Sequence, residues 1–352
     1  MREKDTAAFV QADFKGDNWA GNVGVRFVHT QEDVVTYTQV SATTPGAILT
    51  SAFGPFIGIP VEHNYNDVLP SANLKLDLSP ELVARFAASE TMTRADYSAL
   101  AGFTNLTPAG CTVNSSGVCV PNVGTGTGSN PDLKPIRSTN LDAGLEWYFA
   151  KSSLLSATAF YMDLRNYIGY GSEIKDYVTF NQTFKTATEV PYNLSVPVNA
   201  TGRVEGLELA YVQAFTENLG FAGNYTYADG KQTSNVPNNP DGTPGDHRLV
   251  GTSKNTYNVS AYFENKMFNA RIGYTYRSAF YSGLDRSTAF TQDSIGTLSA
   301  SLGYTMNEHF SITADGMNLN NPTLKYYALN QDQPRAFYKN GSQYYLNFRF
   351  KL

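Results

Sequence analysis

Few side chains in this 352-residue sequence are arranged for catalysis or metal binding. The four histidines, His29, His63, His247 and His309, are scattered without the spacing of metal ligands. There is no Gly-x-Ser-x-Gly nucleophile motif, and the Gly-Thr-Gly-Thr-Gly tract at 124–128 lacks the flanking strand and helix of a phosphate-binding loop. We therefore expect no catalytic, metal or cofactor site, and we interpret 124–128 as a flexible loop tip.

A second group of side chains has the chemistry to bind a small ligand. Tyrosine rings stack on the faces of sugar rings, and charged groups hold hydroxyls through directional hydrogen bonds. Such residues recur beside the long connections, and the candidates for ligand binding are Asp163, Arg165, Tyr170, Arg277, Tyr281, Arg286, Tyr326 and Tyr327. Residues 241–246 (DGTPGD) could offer oxygens to Ca²⁺, but turn chemistry explains Asp-Gly and Pro-Gly better.

Composition narrows the class of protein. Charged residues make up 16% of the chain and aromatic residues 13%, and the net charge of -5 argues against a nucleic-acid partner. No run of about 20 apolar residues could form a spanning helix. The closest stretch, residues 47–61, is interrupted by Pro55 and Pro60 and is interpreted as a loop.

Two-residue alternation of apolar and polar side chains is the dominant pattern, and it is typical of strands with two different faces. In residues 138–149, one face carries Leu141, Ala143, Leu145, Trp147 and Phe149. The sequence predicts thirteen strands, at about 5–14, 19–40, 65–78, 81–97, 138–150, 153–168, 202–214, 218–229, 254–264, 267–278, 293–305, 308–318 and 341–351.

The connections between these strands alternate strictly between short turns and long loops. Short turns at one end of the sheet, long loops at the other and strands of about ten residues favour an all-β, antiparallel outer-membrane barrel. A water-soluble sandwich also alternates, but its Greek-key connections have no reason to alternate in length. The polar face would line a lumen, with charges from Arg26, Lys75, Asp77, Arg85, Asp142, Glu146, Asp163, Arg165, Glu208, Arg271, Arg277, Asp315 and Arg349.

Four segments carry a family likeness: residues 67–100, residues 130–149 with the hexapeptide NPDLKP at 130–135, residues 251–278, and the terminal YYLNFRFKL. Together they resemble the C-terminal half of a TonB-dependent outer-membrane receptor. The resemblance implies a 22-stranded barrel with an N-terminal plug, and uptake energised by the TonB complex. It is closest to a subgroup associated with carbohydrate-type nutrients.

The resemblance also implies partners: outer-membrane lipid, the TonB complex, the barrel-assembly machinery and a small nutrient. Neither a plug nor a TonB box is present in these 352 residues, and Leu352 stands where the family usually ends in Phe. The assembly signal is therefore expected to depend on Phe348, Phe350 and Leu352. Residues 1–352 are expected to be the C-terminal part of one receptor barrel, about 13 of 22 strands, whose first and last strands are open edges.

Three functions are compared. The leading hypothesis is an active-transport receptor for a scarce, oligosaccharide-like nutrient. The alternatives are a passive porin-like or adhesin-like barrel, which needs no plug, and a receptor for siderophores or other iron complexes. An outer-membrane enzyme is disfavoured because no nucleophile and base occur in a recognisable arrangement.

The topology is testable. If the C-terminus is periplasmic, the loops containing Gly126, Asp241 and Asn330 are extracellular and the turn at Lys151 is periplasmic. Cysteines introduced at the first three positions are expected to react with an impermeant maleimide in intact cells. Labelling at Lys151 instead would invert the topology.

Cys111 and Cys119, the only two cysteines, lie in the longest loop with seven residues between them. An oxidising location outside the cell favours a disulfide, and two thiols are too few for a metal site. Closing so short a loop contributes about 2 to 3 kcal/mol at most. Mass spectrometry of the non-reduced protein is expected to show the bond, and two free thiols would contradict it.

Overall fold

The computed structural model describes residues 1–51, 54–117, 119–181, 186–233, 238, 242–285 and 288–351. No helix in these ranges has the length and apolar character needed to cross a membrane. The elements, in chain order, are β1 (Arg2–Lys15), β2 (Trp19–Gln39), β3 (Phe56–Ser79), β4 (Leu82–Thr93), α1 (Tyr97–Leu100), β5 (Phe103–Thr107), β6 (Cys111–Val113), β7 (Cys119–Pro121), β8 (Gly124–Thr127), β9 (Ile136–Ala150), β10 (Ser153–Asn181), β11 (Thr186–Ala214), β12 (Leu219–Gln232), β13 (Asn255–Glu264), β14 (Phe268–Arg277), β15 (Phe280–Asp285), β16 (Thr288–Gln292), β17 (Ile295–Thr305), β18 (Phe310–Met317), β19 (Leu324–Ala328), β20 (Pro334–Tyr338) and β21 (Gln343–Phe350).

Thirteen of these strands form a continuous antiparallel meander, in which each strand pairs with the next one along the chain. They are β1 to β4, β9 to β14, β17, β18 and β21. The thirteen predicted strands and their alternating short and long connections are confirmed. The chain is an all-β barrel sheet of the predicted kind.

Three strands are longer than the sequence pattern predicted. β10 runs on to Asn181 and β11 starts at Thr186, so much of the expected loop at 169–201 is a long hairpin. The loop interpretation of residues 47–61 is wrong at its end, because Phe56 to Val61 belong to β3. Pro60 is tolerated there because β3 pairs with β4 only from Ser71 onward, so one side of the strand needs no N–H donor.

The register separates an apolar face from a polar one. Leu141, Leu145 and Trp147 of β9 are exposed on the first face. On the other face, Arg85 Nε donates to Glu146 Oε1 at 2.7 Å, and Tyr148 Oη donates to Glu146 Oε2 at 2.9 Å. A one-residue slip would exchange the faces, so these charged pairs and the apolar residues between them fix the register together.

Asp163 and Arg165 contradict the expected polar placement. The β9–β10 register aligns Leu155 with Trp147 and Tyr161 with Leu141, and two-residue alternation carries Asp163 and Arg165 onto that same apolar face. On this face Asp163 and Arg165 come after Tyr161, the last apolar residue of β10 in the apolar band. Arg165 forms an ion pair with Glu90 at 2.7 Å. The pattern failed here because apolar-face positions turn polar where a strand leaves the apolar band.

At the long-loop end, the sheet closes into a ring of eight strands. β5 pairs parallel with β2, β5 pairs antiparallel with β8, and β8 pairs parallel with β11. The ring is β2, β3, β4, β9, β10, β11, β8 and β5, and β12 to β14, β17, β18 and β21 continue the sheet beyond β11. Among the described residues β1 pairs only with β2 and β21 only with β18, as expected for open edges.

The pair β5 and β8, called the strap here, corrects the interpretation of residues 124–128 as a flexible loop tip. Gly124 and Gly126 lie opposite Tyr192 and Leu194 of β11. A Cβ at Gly124 would lie 2.4 Å from the Tyr192 ring, and one at Gly126 would lie 2.6 Å from Leu194 Cδ2. The alternating glycines therefore let β8 lie close against the buried cluster of Val190, Tyr192, Leu194 and Val196.

Residues 130–135 lead the chain from the strap to the start of β9 at Ile136. Asn130 Oδ1 accepts from the Asp132 N–H at 3.1 Å, and Asn130 Nδ2 donates to Pro197 O at 3.1 Å. Lys134 N donates to Asn199 Oδ1 at 2.8 Å, and Asn199 Nδ2 donates to Lys134 O at 3.0 Å. These bonds fix the start of β9 against β11.

Two further predictions concern the two cysteines and the terminal residues of the last strand. β6 and β7 form a hairpin with Val113 opposite Cys119, and Cys111 is disulfide-bonded. The bond to Cys119 stays a prediction, as does the assembly signal. Phe348 and Phe350 are exposed on β21, whereas Leu352 lies outside the described residues.

Packing of the strap against β11 is testable through Gly126. A side chain there meets Asn105 O at 2.6 Å as well as Leu194, so Gly126→Val is expected to destabilise the strap by about 1–3 kcal/mol. Proteinase K treatment of intact cells should cleave the variant faster between residues 103 and 128. Gly110→Val is the matched control, because a Cβ at Gly110 meets no atom within 4 Å. Equal cleavage of both variants would contradict tight packing of the strap.

Candidate ligand-binding site

A separate four-stranded sheet lies at the long-loop end of the meander. Its strand order is β15, β16, β19, β20, and all its pairings are antiparallel. The sequence pattern predicted loops for both segments that form this sheet, residues 279–292 and 319–340. They are strands because two long connections, β14 to β17 and β18 to β21, satisfy each other's backbone hydrogen bonds.

One face of this sheet carries a tyrosine–arginine cluster. The pairings place Tyr281, Thr291 and Tyr327 side by side across β15, β16 and β19. Beside them, Arg248 holds Asp246 through two hydrogen bonds from Nε, both 3.0 Å, and one from Nη2 at 2.5 Å. A backbone bond from Gly251 N to Tyr281 O at 2.8 Å ties the Arg248 loop to the sheet.

Burial and charge keep the hydroxyl groups of this cluster protonated. Tyr281 is 3% exposed. Its burial, together with the nearby Asp246 carboxylate, raises its pKa to about 12. Burial also raises the pKa of Tyr327 and of Tyr167, which lies close enough to influence Tyr281. The phenols are therefore neutral hydrogen-bonding groups at physiological pH.

The positive charge of Arg248 is matched within the cluster. Its pKa is raised first by its hydrogen bonds to Asp246 and further by the negative charge of that carboxylate. A bidentate guanidinium–carboxylate pair is a strong, directional interaction. The pair therefore offers a ligand no excess charge, and the cavity that it lines also carries charges of both signs, from Asp163, Arg203 and Lys231.

The other face of the sheet is aromatic. Tyr326 stacks on Phe290 with ring centroids 5.3 Å apart, and its ring meets the edge of Tyr338 at 6.0 Å. Tyr326 Oη donates to Gln292 Oε1 at 3.0 Å. Because Tyr338 is exposed, this face presents a stacking surface to solvent.

The Arg277 side chain is also bound by neighbouring groups of the protein. Its guanidinium carbon lies 3.8 Å from the centroid of the Phe280 ring, a cation–π contact. Its Nε donates to Ser253 Oγ at 2.6 Å, and a terminal N–H donates to Gly251 O. Arg277 therefore anchors the sheet to the loop that carries Arg248.

The structure brings together only some of the predicted ligand-binding residues. Tyr281 and Tyr327 share one face, whereas Tyr326, on the opposite face, and Arg277 lie close to them. Asp163 lines a cavity together with Asp246 and Arg248. Arg165 pairs with Glu90 instead, Tyr170 lines a different cavity, and Arg286 is outside the described residues.

Sequence reasoning missed Tyr167, Asp246 and Arg248. The Asp-x-Arg spacing was a usable signal, because side chains two residues apart in extended backbone share a face. Tyr167 was not predictable, since it follows a bulge at Asn166, where φ is +56° and the β10–β11 register shifts. Asp246 was considered for Ca²⁺, but its carboxylate is bound by Arg248.

The charge environment of Tyr281 gives a test of this geometry. Asp246→Asn is expected to lower the pKa of both Tyr281 and Tyr327, because its carboxylate opposes ionisation of both phenols. Asp293→Asn is the matched control and should lower only the pKa of Tyr327. Alkaline titration by NMR of ¹³C-labelled tyrosine measures both values, and an unchanged Tyr281 pKa in Asp246→Asn would contradict the arrangement.

The raised pKa of Tyr281 makes the stability of the folded protein depend on pH. The folded-state pKa of Tyr281 is above its ordinary value of 10. Its contribution to stability is therefore fully present below pH 10 and is lost as the pH rises to about 12.

Comparison with known proteins gives the family. The family model described as "TonB dependent receptor-like, beta-barrel" matches residues 1–319. No curated protein is significantly similar in sequence. Among solved structures, the chain is similar to the ferric-catecholate import receptor Fiu of Escherichia coli K12, with a TM-score of 0.63 and 15% identity over 99% of this chain and 44% of that one.

Two further structures show the same relationship. The ferric yersiniabactin uptake receptor FyuA of Yersinia pestis has a TM-score of 0.60 and 14% identity, over 99% of this chain and 45% of that one. The copper transporter OprC has a TM-score of 0.64 and 15% identity, over 99% and 48%. The chain thus spans about half the length of these structures, and such low identities establish the fold alone. By its sequence match, the chain belongs to the TonB-dependent receptor β-barrel family.

Proposed function

We propose that this chain is part of the barrel of an outer-membrane receptor that imports an uncharged, oligosaccharide-like nutrient with energy from the TonB complex. The observation that carries the proposed cargo is the tyrosine cluster around the Asp246–Arg248 pair. Its partly exposed ring is Tyr327, which is backed by the buried, protonated Tyr281 and by an arginine whose charge is already matched. A sugar offers CH faces for the rings and hydroxyls for the polar groups.

An iron complex of a siderophore is the second candidate, because Fiu is described as a ferric-catecholate import receptor and FyuA as a ferric yersiniabactin uptake receptor. An anionic chelate is best held by cations that are free to bind it. Arg248 is bound to Asp246, and Arg277 to Ser253, Gly251 and the Phe280 ring. Arg203, which lines the cavity beside Arg248, lies opposite Asp163 in the β10–β11 register. This electrostatic difference favours the uncharged cargo.

The proposed receptor would contain more strands than these thirteen. A strand edge left unpaired in hydrocarbon costs several kcal/mol for each orphan backbone group. Among the described residues, β1 and β21 each have one unpaired edge. In this proposal further strands of the same barrel cover both edges, and the barrel-assembly machinery inserts the whole. A plug segment would carry the contact with TonB.

Growth of a strain deleted for the full gene tests the cargo. We expect slower growth on one class of oligosaccharide, unchanged growth under iron limitation, and the same defect after deletion of tonB. A defect confined to iron limitation would overturn the sugar cargo. Growth that depends on the gene but not on tonB would instead indicate a passive pore.

Complementation with variants tests the site. Tyr327→Ala removes one ring of the cluster and is expected to lower the uptake rate about tenfold, as loss of about 1.4 kcal/mol of binding would. Tyr97→Ala is the matched control, because it removes an exposed tyrosine ring from α1, outside the four-stranded sheet. Equal uptake by both variants would exclude the cluster from ligand binding.

A further inference from the structure

A separate cavity shares no lining residue with the tyrosine–arginine cluster. Its volume is about 730 Å³, which is within the range of small-ligand sites. Its walls come from the segment around α1, the end of the strap and the β10–β11 hairpin. The lining residues that offer polar groups or a ring include Arg94, Asp96, Ser98, Thr127, Tyr170 and Ser195.

The walls of this cavity are held in place by packing and hydrogen bonds. Leu100 of α1 is buried with Val34 and Leu133, so the helix is anchored to β2 and to the start of β9. At the strap end, a Cβ on Gly128 would lie 2.8 Å from Thr104 Oγ1, which shows how closely β8 and β5 approach. The Asn130 bond to Pro197 O fixes the hairpin side. The cavity is therefore preformed.

Its charges are balanced. Arg94 Nη2 contacts Asp5 Oδ1 at 2.5 Å and Thr30 Oγ1 at 3.0 Å, and Arg94 Nε lies 3.6 Å from Glu3 Oε1. The guanidinium is thus compensated from behind by two carboxylates. Asp96 precedes α1, and its side chain makes no capping hydrogen bond to the helix. An anion entering the cavity would meet Asp96, with the charge of Arg94 already matched.

Tyr170 supplies the stacking surface. It is 59% exposed and belongs to β10, opposite Pro197 of β11. Hydroxyl groups of Ser98, Thr127 and Ser195 line the same cavity. A solvent-accessible ring, a carboxylate acceptor and several hydroxyls together match the CH faces and hydroxyls of a sugar.

We propose that this cavity is a second subsite that binds one or two sugar units of an uncharged oligosaccharide. The proposal rests on the proposed function and extends it, because two separated subsites would select an extended ligand over a monosaccharide. Binding through two connected subsites gains affinity from effective concentration. An anionic iron chelate gains nothing here, since the lining carries no uncompensated positive charge.

Isothermal titration calorimetry of the full-length receptor in detergent tests the subsite, with maltotriose, xylotriose and N,N′,N″-triacetylchitotriose as probes and a ferric tris-catecholate as the anionic comparison. Tyr170→Ala and Asp96→Asn are expected to weaken binding of at least one trisaccharide about tenfold or more. Tyr97→Ala is the matched control, because Tyr97 is similarly exposed on α1 but does not line the cavity. Tyr170 is exposed, so its removal leaves the fold intact, which heat-modifiable migration of the variant verifies.

The outcomes separate the two proposals. If the wild type binds a trisaccharide, Tyr327→Ala weakens it and Tyr170→Ala does not, the subsite is overturned and the proposed function stands. If the wild type binds none of the three sugars but binds the ferric chelate, both are overturned. Weakening of the chelate rather than the sugar by Tyr170→Ala would show that the cavity takes an anion and would also overturn the subsite.

Discussion

Hydrocarbon offers no hydrogen-bond partner to a backbone, so each strand at membrane depth must have its N–H and C=O groups satisfied by neighbouring strands. Twelve successive antiparallel pairings meet this requirement for the thirteen strands of the meander. Because side chains alternate along a strand, the same pairings decide which side chains meet lipid. Arg85 and Glu146 can pair on one face only because Leu145 and Trp147 occupy the other. The fold, the register and the polarity of the two faces follow from that one constraint.

Beyond the apolar band, backbone groups no longer lie in hydrocarbon, so strands need not pair only with their neighbours along the chain. β10 and β11 project as a long hairpin, and the strap joins β11 to β2 by parallel pairing. Alternating glycines make this closure possible, since they let β8 approach Tyr192 and Leu194 without a steric clash. The strap then forms a wall of the Tyr170 cavity. Thr127 thus belongs both to the strap and to the wall of this cavity.

The two candidate binding regions have a common electrostatic design. In each, an arginine is compensated by carboxylates of the protein: Arg248 by Asp246, and Arg94 by Asp5 and Glu3. Each arginine can therefore orient side chains without attracting an anion strongly. The rings that remain accessible are the partly exposed Tyr327 in the first region and the exposed Tyr170 in the second, and such rings suit a neutral, hydroxyl-rich ligand.

The sequence by itself determined the thirteen strands, their alternating connections and the family, because period-two patterning and short turns are local properties of the chain. It also indicated Tyr281 and Tyr327 as ligand-binding candidates. It did not determine that 124–128 is a strand, because that depends on contact with Tyr192, more than sixty residues later. Nor did it place Asp163 and Arg165, whose face is set by the β9–β10 register, or Tyr167, whose orientation follows the bulge at Asn166. Only the tertiary structure decided which residues meet, because loops that carry no periodic pattern acquire their strands and their neighbours from partners distant in the chain.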